Sequence, residues 1–262
     1  MKEIRFDGKV VVVTGASRGI GKMLVERFSD AGAKVVFCAR RGDVLKGIEA
    51  DLRARGREAL AVTADTGRFE DCKRLIEAAV KAYGTVDILV NSAGVSGVQK
   101  PVWELQPDEL DEVMKVNVQG PYACTHFAAP HMIRQKSGAI VNIGSFTGKR
   151  PMPFRTPYAT SKMALIGLTR TVALELAPYK VRCNCISPGP VEGERVEEVV
   201  ANASKASNRT ADDVRKGFLG LSPMNEMVTE EEICDMTFFL CSDHGRHMTG
   251  QDINMTAGIV MY

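Results

Sequence analysis

"VVVTGASRGIG", residues 11–21, admits two incompatible chemistries. Gly15-Ala-Ser17-Arg-Gly19 spells the G-x-S-x-G of a nucleophile elbow, which would make Ser17 a hydrolase nucleophile. The same letters, with Gly15, Gly19 and Gly21 at G-x-x-x-G-x-G spacing, describe a bare turn that lets the backbone approach a phosphate. Position separates them. An elbow needs an earlier strand, because part of its oxyanion hole comes from an earlier strand-to-helix loop, and here the motif closes the first strand of the chain. A phosphate turn needs only a strand ending at Thr14 and a helix from about Ile20 with unpaired amide donors at its head. The turn is therefore expected to hold a phosphate through Gly15, Ser17, Arg18, Gly19, Ile20 and Gly21, with Ser17 no nucleophile.

Outward from this turn, short β-branched runs alternate with longer helical patterns. "KVVVVTG", "AKVVFCA", "EALAVTA", "VDILVNS", "GAIVNIGS" and "VRCNCISPG" are separated by segments such as "EDCKRLIEAAVKAYG". Apolar strands joined by helical crossovers predict an α/β fold, a Rossmann-like doubly wound parallel sheet with helices on both faces and ligands beyond the carboxyl ends of its strands. At 262 residues, with no Pro-, Gly- or Ser-rich linker and no internal repeat, one domain over 1–262 is expected. Residues 190–226 interrupt the strand rhythm with polar, helix-prone sequence, as a substrate lid or a solvated surface excursion would.

Composition narrows the partners. Lys and Arg number 34 against 32 acids, a net +2 without a basic tract, so neither nucleic acid nor an anionic membrane is called for and a small-molecule substrate is expected. Val10–Val13, the longest apolar run near the start, is too short for a signal peptide or a span, which predicts a cytoplasmic enzyme. Seven cysteines without a C-x-x-C pair predict reduced, buried thiols. His126 and His131 lie five apart, and His244 and His247 share a "DHGRH" turn, so no metal is expected.

Later strand ends carry the chemistry. After "KVVFC" the chain reads Ala39-Arg40-Arg41, where many dinucleotide-binding folds place an acid to hold the 2′-hydroxyl of NAD. Arginine there suits a 2′-phosphate, and Arg18 could approach the same group; NADP(H) is predicted to be preferred, with NAD(H) possible, unless both arginines are simply solvated. The fifth strand ends near Ser145, and "TPYATSK" follows, with Thr156 and Pro157 read as N-cap and first helical residue and Tyr158 and Lys162 on one helix face. A tyrosine ordinarily titrates near ~10, and an adjacent ammonium favours its phenolate, so Lys162 can fit Tyr158 to exchange a proton at neutral pH. Ser145 can orient a substrate oxygen and stabilise its developing charge.

Thr14-Gly-x-x-x-Gly19-x-Gly21, "NSAG" at 91–94, Asn117, Ser145, Tyr158-x-x-x-Lys162 and "SPGP" together resemble the short-chain dehydrogenase/reductase family over nearly the whole chain. The resemblance implies an NAD(P)-dependent oxidoreductase with Ser145, Tyr158 and Lys162 as catalytic trio, and with Asn117 helping to hold a water in a proton relay to Lys162. It further implies that Asp65 meets the adenine, that Asn91 and Gly94 line the cofactor, that Pro188 and Gly189 approach the nicotinamide, and that the protein is a homotetramer. The sequence departs from the family pattern at Ser92, for a second asparagine; at Gly193, where a threonine often contacts the carboxamide; and at Thr256-Ala257-Gly258, for Asp-Gly-Gly. Reversible oxidation of a secondary alcohol is the expected reaction, on a 3-oxoacyl thioester or on a sugar-like or small hydroxy compound. If the loop of Lys149, Arg150 and Arg155 rims the pocket, an anionic substrate gains a favourable field; the alternative is a basic loop facing solvent or a neighbouring subunit. A non-catalytic NADP-binding regulator and a hydrolase acting through Ser17 are the distant alternatives.

Overall fold

Four valines in a row, Val10–Val13, can be buried on both faces only in a sheet covered on both sides, because successive side chains point in opposite directions. The computed structural model describes residues 4–207 and 209–262, and their side chains except at 194, 195 and 205–207. In it Val11 and Val13 enter one apolar core and Val10 and Val12 the other. The strands are β1 (Val10–Thr14), β2 (Lys34–Ala39), β3 (Ala59–Thr63), β4 (Ile88–Asn91), β5 (Gly138–Ile143), β6 (Val181–Pro188) and β7 (Asp252–Met255). They form one parallel sheet in the order β3-β2-β1-β4-β5-β6-β7, with Val12 in register with Val36 on one side and Leu89 on the other. The expected doubly wound α/β architecture is the one observed.

Helices α1 (Gly19–Asp30) and α2 (Gly42–Ala54) contribute Leu24, Phe28, Leu45 and Leu52 to the first core. After α3 (Phe69–Tyr83), α4 (Pro107–Met114), α5 (Gly120–Gln135), α6 (Thr156–Leu176), α7 (Glu194–Ser207) and α8 (Ala211–Leu219), helix α9 (Glu230–Cys241) adds Ile233 and Phe238 to it. The second core packs α3, α5 and α6 through residues such as Leu75, Ala128 and Ala173. Strand order reverses between β1 and β4, and the crevice at that switch point is where such sheets take ligands.

One local boundary differs from expectation. Helix α6 begins one residue earlier than predicted: Arg155, not Thr156, occupies the N-cap, and Pro157 sits in the first turn, where its missing N–H costs nothing. The 190–226 excursion holds α7 and α8, which share a small cluster of Val196, Val200 and Val214 with Phe218 and Met227 against it. Within the excursion, residue 208 and the side chains of 194, 195 and 205–207 lie outside the described residues, as do residues 1–3 of the predicted domain.

Candidate active site

The glycine turn is built by close approach. Thr14 Oγ1 accepts from the backbone N–H of both Ser92 and Ala93 at 3.1 Å, drawing the loop after β4 onto the turn. A Cβ on Gly15 would stand 2.7 Å from Ala93 Cα, and one on Gly21 only 2.3 Å from the Gly15 carbonyl oxygen, so neither position has room for a side chain. Helix α1 starts at Gly19 with no acidic residue in its first turn, leaving its N-terminal amides and positive dipole end toward the cleft. This bare cradle fits a pyrophosphate.

The cleft has a volume of about 1370 Å³ and continues from the turn across the crest of the sheet. Gly15, Ser17, Arg18, Gly19, Ile20 and Gly21 line it, as do Arg40, Asp65, Gly94, Pro188 and Gly189. Asn91 does not; it is buried beneath, its amide donating to Asn142 Oδ1 at 2.8 Å, while Asn142 donates to Thr169 Oγ1 of α6 at 2.9 Å. Arg40 is exposed at the rim, and Arg18 is held in a two-pronged pair by Glu198 of α7, one arm at 2.9 Å.

Ser145, Tyr158 and Lys162 line the same cleft and are all buried. Strand β5 delivers Ser145 just past its end, and helical spacing stacks Tyr158 and Lys162 on α6. Lys162 Nζ donates to the Ile143 carbonyl at 2.7 Å and lies 5.6 Å from the centre of the Tyr158 ring, so the ammonium is anchored to the strand that carries the serine. Ser145 Oγ accepts from Thr147 N–H at 3.2 Å, which orients the hydroxyl. A Cβ on Gly148 would fall 2.9 Å from Met163 N, so a glycine lets the loop after the serine lie directly on α6.

Asn117 sits in a π-helical turn, Lys115–Gln119, between α4 and α5. Its side chain grips Val95 at both backbone groups, accepting at 2.8 Å and donating at 2.9 Å, and donates to Ser161 Oγ at 3.0 Å. It thus ties the loop after β4 to α6. Gly193 has φ +128, and a Cβ there would meet Glu230 Oε1 at 3.0 Å, which accounts for glycine where a threonine was expected. Ala257 takes a left-handed φ of +47, a conformation glycine adopts freely.

The loop cations separate. Lys149 forms a buried ion pair with Asp252 of β7 at 2.6 Å, and Arg150 donates to the Ile259 carbonyl at 3.3 Å; neither lines the cleft. Arg155 does line it, buried, with its guanidinium carbon 4.7 Å from the Tyr158 ring centre. Of these three, then, only Arg155 reaches the site. The sequence reading also missed Glu198, Val199 and Asn202, cleft-lining residues on one side of α7 whose near-helical spacing was the available signal.

All seven cysteines are buried and free. Burial pushes the thiols of Cys38 and Cys241 up to about 12, so neither offers a thiolate at neutral pH. Among the described residues no three His, Cys, Asp or Glu gather as metal ligands, and no helix is long and apolar enough to cross a membrane.

Residues 9–204 match the family model described as short chain dehydrogenase. The chain belongs to that family. It is 32% identical to the 3-oxoacyl-[acyl-carrier-protein] reductase FabG of Staphylococcus epidermidis, over 97% of this chain and 99% of the relative. It is 32% identical to tropinone reductase-like 3 of Erythroxylum coca, over 97% and 94%. The structure of an NAD+-bound xylitol dehydrogenase superposes with a TM-score of 0.92 at 32% identity, covering 97% of this chain and 99% of that one. A putative short-chain alcohol dehydrogenase from Sinorhizobium meliloti 1021 superposes with a TM-score of 0.87 at 32% identity, covering 98% of each. As a short-chain dehydrogenase, the protein is an NAD(P)-dependent oxidoreductase acting on CH–OH and C=O groups.

Proposed function

We propose that the enzyme interconverts a small polar secondary alcohol and its ketone, with Tyr158 as general acid and base. The observation that carries this is the meeting of Ser145, Tyr158 and Lys162 on the wall of the cleft that begins at the glycine turn. The turn, with Arg40, Asp65, Gly94, Pro188 and Gly189, would hold a nicotinamide cofactor, which when bound would supply or accept the hydride. Ser145 Oγ holds the substrate oxygen. In reduction Tyr158 Oη gives that oxygen a proton, and in oxidation it takes one away. Lys162, fixed on Ile143 O, stabilises the phenolate left behind. Asn117 acts by positioning, through Val95 and Ser161, and by the family resemblance it would also help to hold a water in a proton relay to Lys162.

The substrate end of the cleft mixes Gln99, Thr147, Arg155 and Asn202 with Phe146, Met152 and Phe218, which suits a small polar compound better than a long acyl chain. Helices α7 and α8 would then serve as the lid. We further propose a preference for NADP, supported by Arg40 at the rim where NAD enzymes commonly place an acid. The homotetramer implied by the family and the cytoplasmic location expected from the sequence belong to this proposal as well.

The test is reduction and oxidation followed at the nicotinamide absorbance, across ketones, 3-oxoacyl thioesters, sugars and polyols, with both cofactors. Tyr158→Phe should lower kcat by about 10²–10⁴-fold while cofactor binding persists. Unchanged turnover in that variant would refute the mechanism, and equal or NAD-favouring kcat/KM values would refute the cofactor preference.

A further inference from the structure

We propose that the buried Lys149–Asp252 ion pair is a positioning device for the reaction, bracing the segment that carries Ser145 against the strand end that leads to Pro188 and Gly189. This rests on the alcohol–ketone reading above and adds to it two residues that do not line the cleft.

Backbone pairing places the site only so far. The ladder between β5 and β6 ends where the Gly144 N–H donates to the Ile186 carbonyl at 2.6 Å, and Ser145 is the next residue. Beyond that rung, the position of Ser145 relative to Pro188 and Gly189 depends on side chains. Ser187, buried in β6, makes the first contact: a Cβ on Gly144 would stand 2.9 Å from its Oγ, so the chain just before Ser145 lies directly on that hydroxyl. Ser187 Oγ in turn donates to Asp252 Oδ1 at 2.6 Å.

The second oxygen of Asp252 closes the brace. Lys149 Nζ meets Oδ2 at 2.6 Å, with the two side chains only 9% and 3% exposed, and among the described residues no other donor serves that oxygen. The ammonium also donates to the Asp252 carbonyl at 3.5 Å and to Asn254 Oδ1, two residues along β7 and on the same face. Ser145 therefore lies on a segment fastened at both ends, at Gly144 on Ser187 and at Lys149 on Asp252. Lys162 is tied just ahead of that segment, at the Ile143 carbonyl.

Stability alone does not call for charges here. Desolvating both ions offsets most of their attraction, and an apolar pair of similar volume would stabilise the core about as well. A carboxylate differs in holding two elements at once, β6 through one oxygen and the loop after β5 through the other. Misplacing a group at the reacting atom by about 1 Å costs on the order of 10²-fold in rate, so a brace on Ser145 acts on the chemical step.

The experiment measures kcat and KM for the best ketone, NADPH affinity by fluorescence titration and the thermal midpoint, in full-length wild type, Lys149→Met/Asp252→Leu and Asp252→Asn. The double variant should lose about 10–100-fold in kcat while KM and NADPH affinity stay within about twofold of wild type. Asp252→Asn, which keeps an acceptor for Ser187 and loses only the charge, should show the same split with a smaller fall of about threefold or more. A wild-type kcat in a folded double variant overturns the proposal. So does a parallel decline of kcat, KM, NADPH affinity and thermal midpoint, which would assign the pair to the fold alone. Should the double variant not fold, Asp252→Asn decides, and a wild-type kcat there overturns the proposal. Turnover that is lost in Tyr158→Phe but intact in these variants defeats this inference alone. Turnover of no alcohol or ketone, or turnover that survives Tyr158→Phe, defeats the reading beneath it.

Discussion

The two walls of the cleft are made differently. On the cofactor wall, positions are set by backbone packed against backbone: Gly15 under Ala93, Gly21 under the Gly15 carbonyl, Thr14 clamping Ser92 and Ala93. On the substrate wall, α7 and α8 share the small cluster of Val196, Val200 and Val214, and exposed ion pairs add to it: Arg215 with Glu197 between the two helices, Arg18 with Glu198 across the cleft. A surface pair contributes under about 1 kcal/mol, and three buried valines are few beside the apolar residues that the two cores under the sheet share, so the substrate wall is held by far less burial than the cofactor wall. A fixed wall suits a cofactor whose phosphates never change. A loosely held one suits a substrate that must enter and leave.

The largest effect should come from breaking the fixed wall. Gly21→Ala puts a methyl 2.3 Å from the Gly15 carbonyl oxygen, with only backbone to yield. It is expected to cost about 3 kcal/mol, lower the thermal midpoint by roughly 6–12 °C and abolish measurable NAD(P)H binding. A midpoint and a cofactor affinity like wild type would mean that the turn is as pliable as the lid.

Glu198→Gln probes the link between the walls. It replaces the carboxylate that now pairs with Arg18 by a neutral amide and so weakens one of the contacts that compete with a 2′-phosphate for that guanidinium. The NADP-to-NAD ratio of kcat/KM should rise several-fold, equivalent to about 1 kcal/mol, with the thermal midpoint nearly unchanged. A fall in that ratio would show that Glu198 assists NADP binding instead of competing with the phosphate.

Gly217→Ala is the mild counterpart of Gly21→Ala. Gly217 lies inside α8, is exposed, and would put its Cβ no nearer than 3.9 Å to another group, the Arg209 guanidinium. Alanine there should stabilise the helix by about 0.5–1 kcal/mol, slowing amide exchange over 211–219 roughly two- to fivefold while the global midpoint barely moves. A rise in the global midpoint without slower local exchange would place α8 in the same cooperative unit as the sheet.

The same division governed what could be read from the chain. Strands, the order of helices, the glycine turn and the Tyr158–Lys162 pair were legible because each depends on spacing within a few residues: period two, i and i+4, a glycine where a side chain would collide. Residues whose role depends on distant partners were not. Nothing in "FTGKRPMPFRTP" distinguishes Lys149 from Arg155, yet one pairs with Asp252, more than a hundred residues on, and the other lines the cleft. Asn91 stands in a recognisable motif, but only packing shows it bonded to Asn142 beneath the cleft. Glu198 was hidden for the same reason, since its partner Arg18 is 180 positions away.

By itself, then, the sequence determined a parallel sheet, a bare glycine turn at the end of its first strand and the serine, tyrosine and lysine that meet on one cleft wall, because local sterics and hydrogen-bonding periods leave few other folds for such a pattern. Tertiary structure alone decided which charged side chains face the substrate. That choice is made when helices and the C-terminal tail dock, and each cation settles on whichever carboxylate, carbonyl or cavity the docking brings within reach.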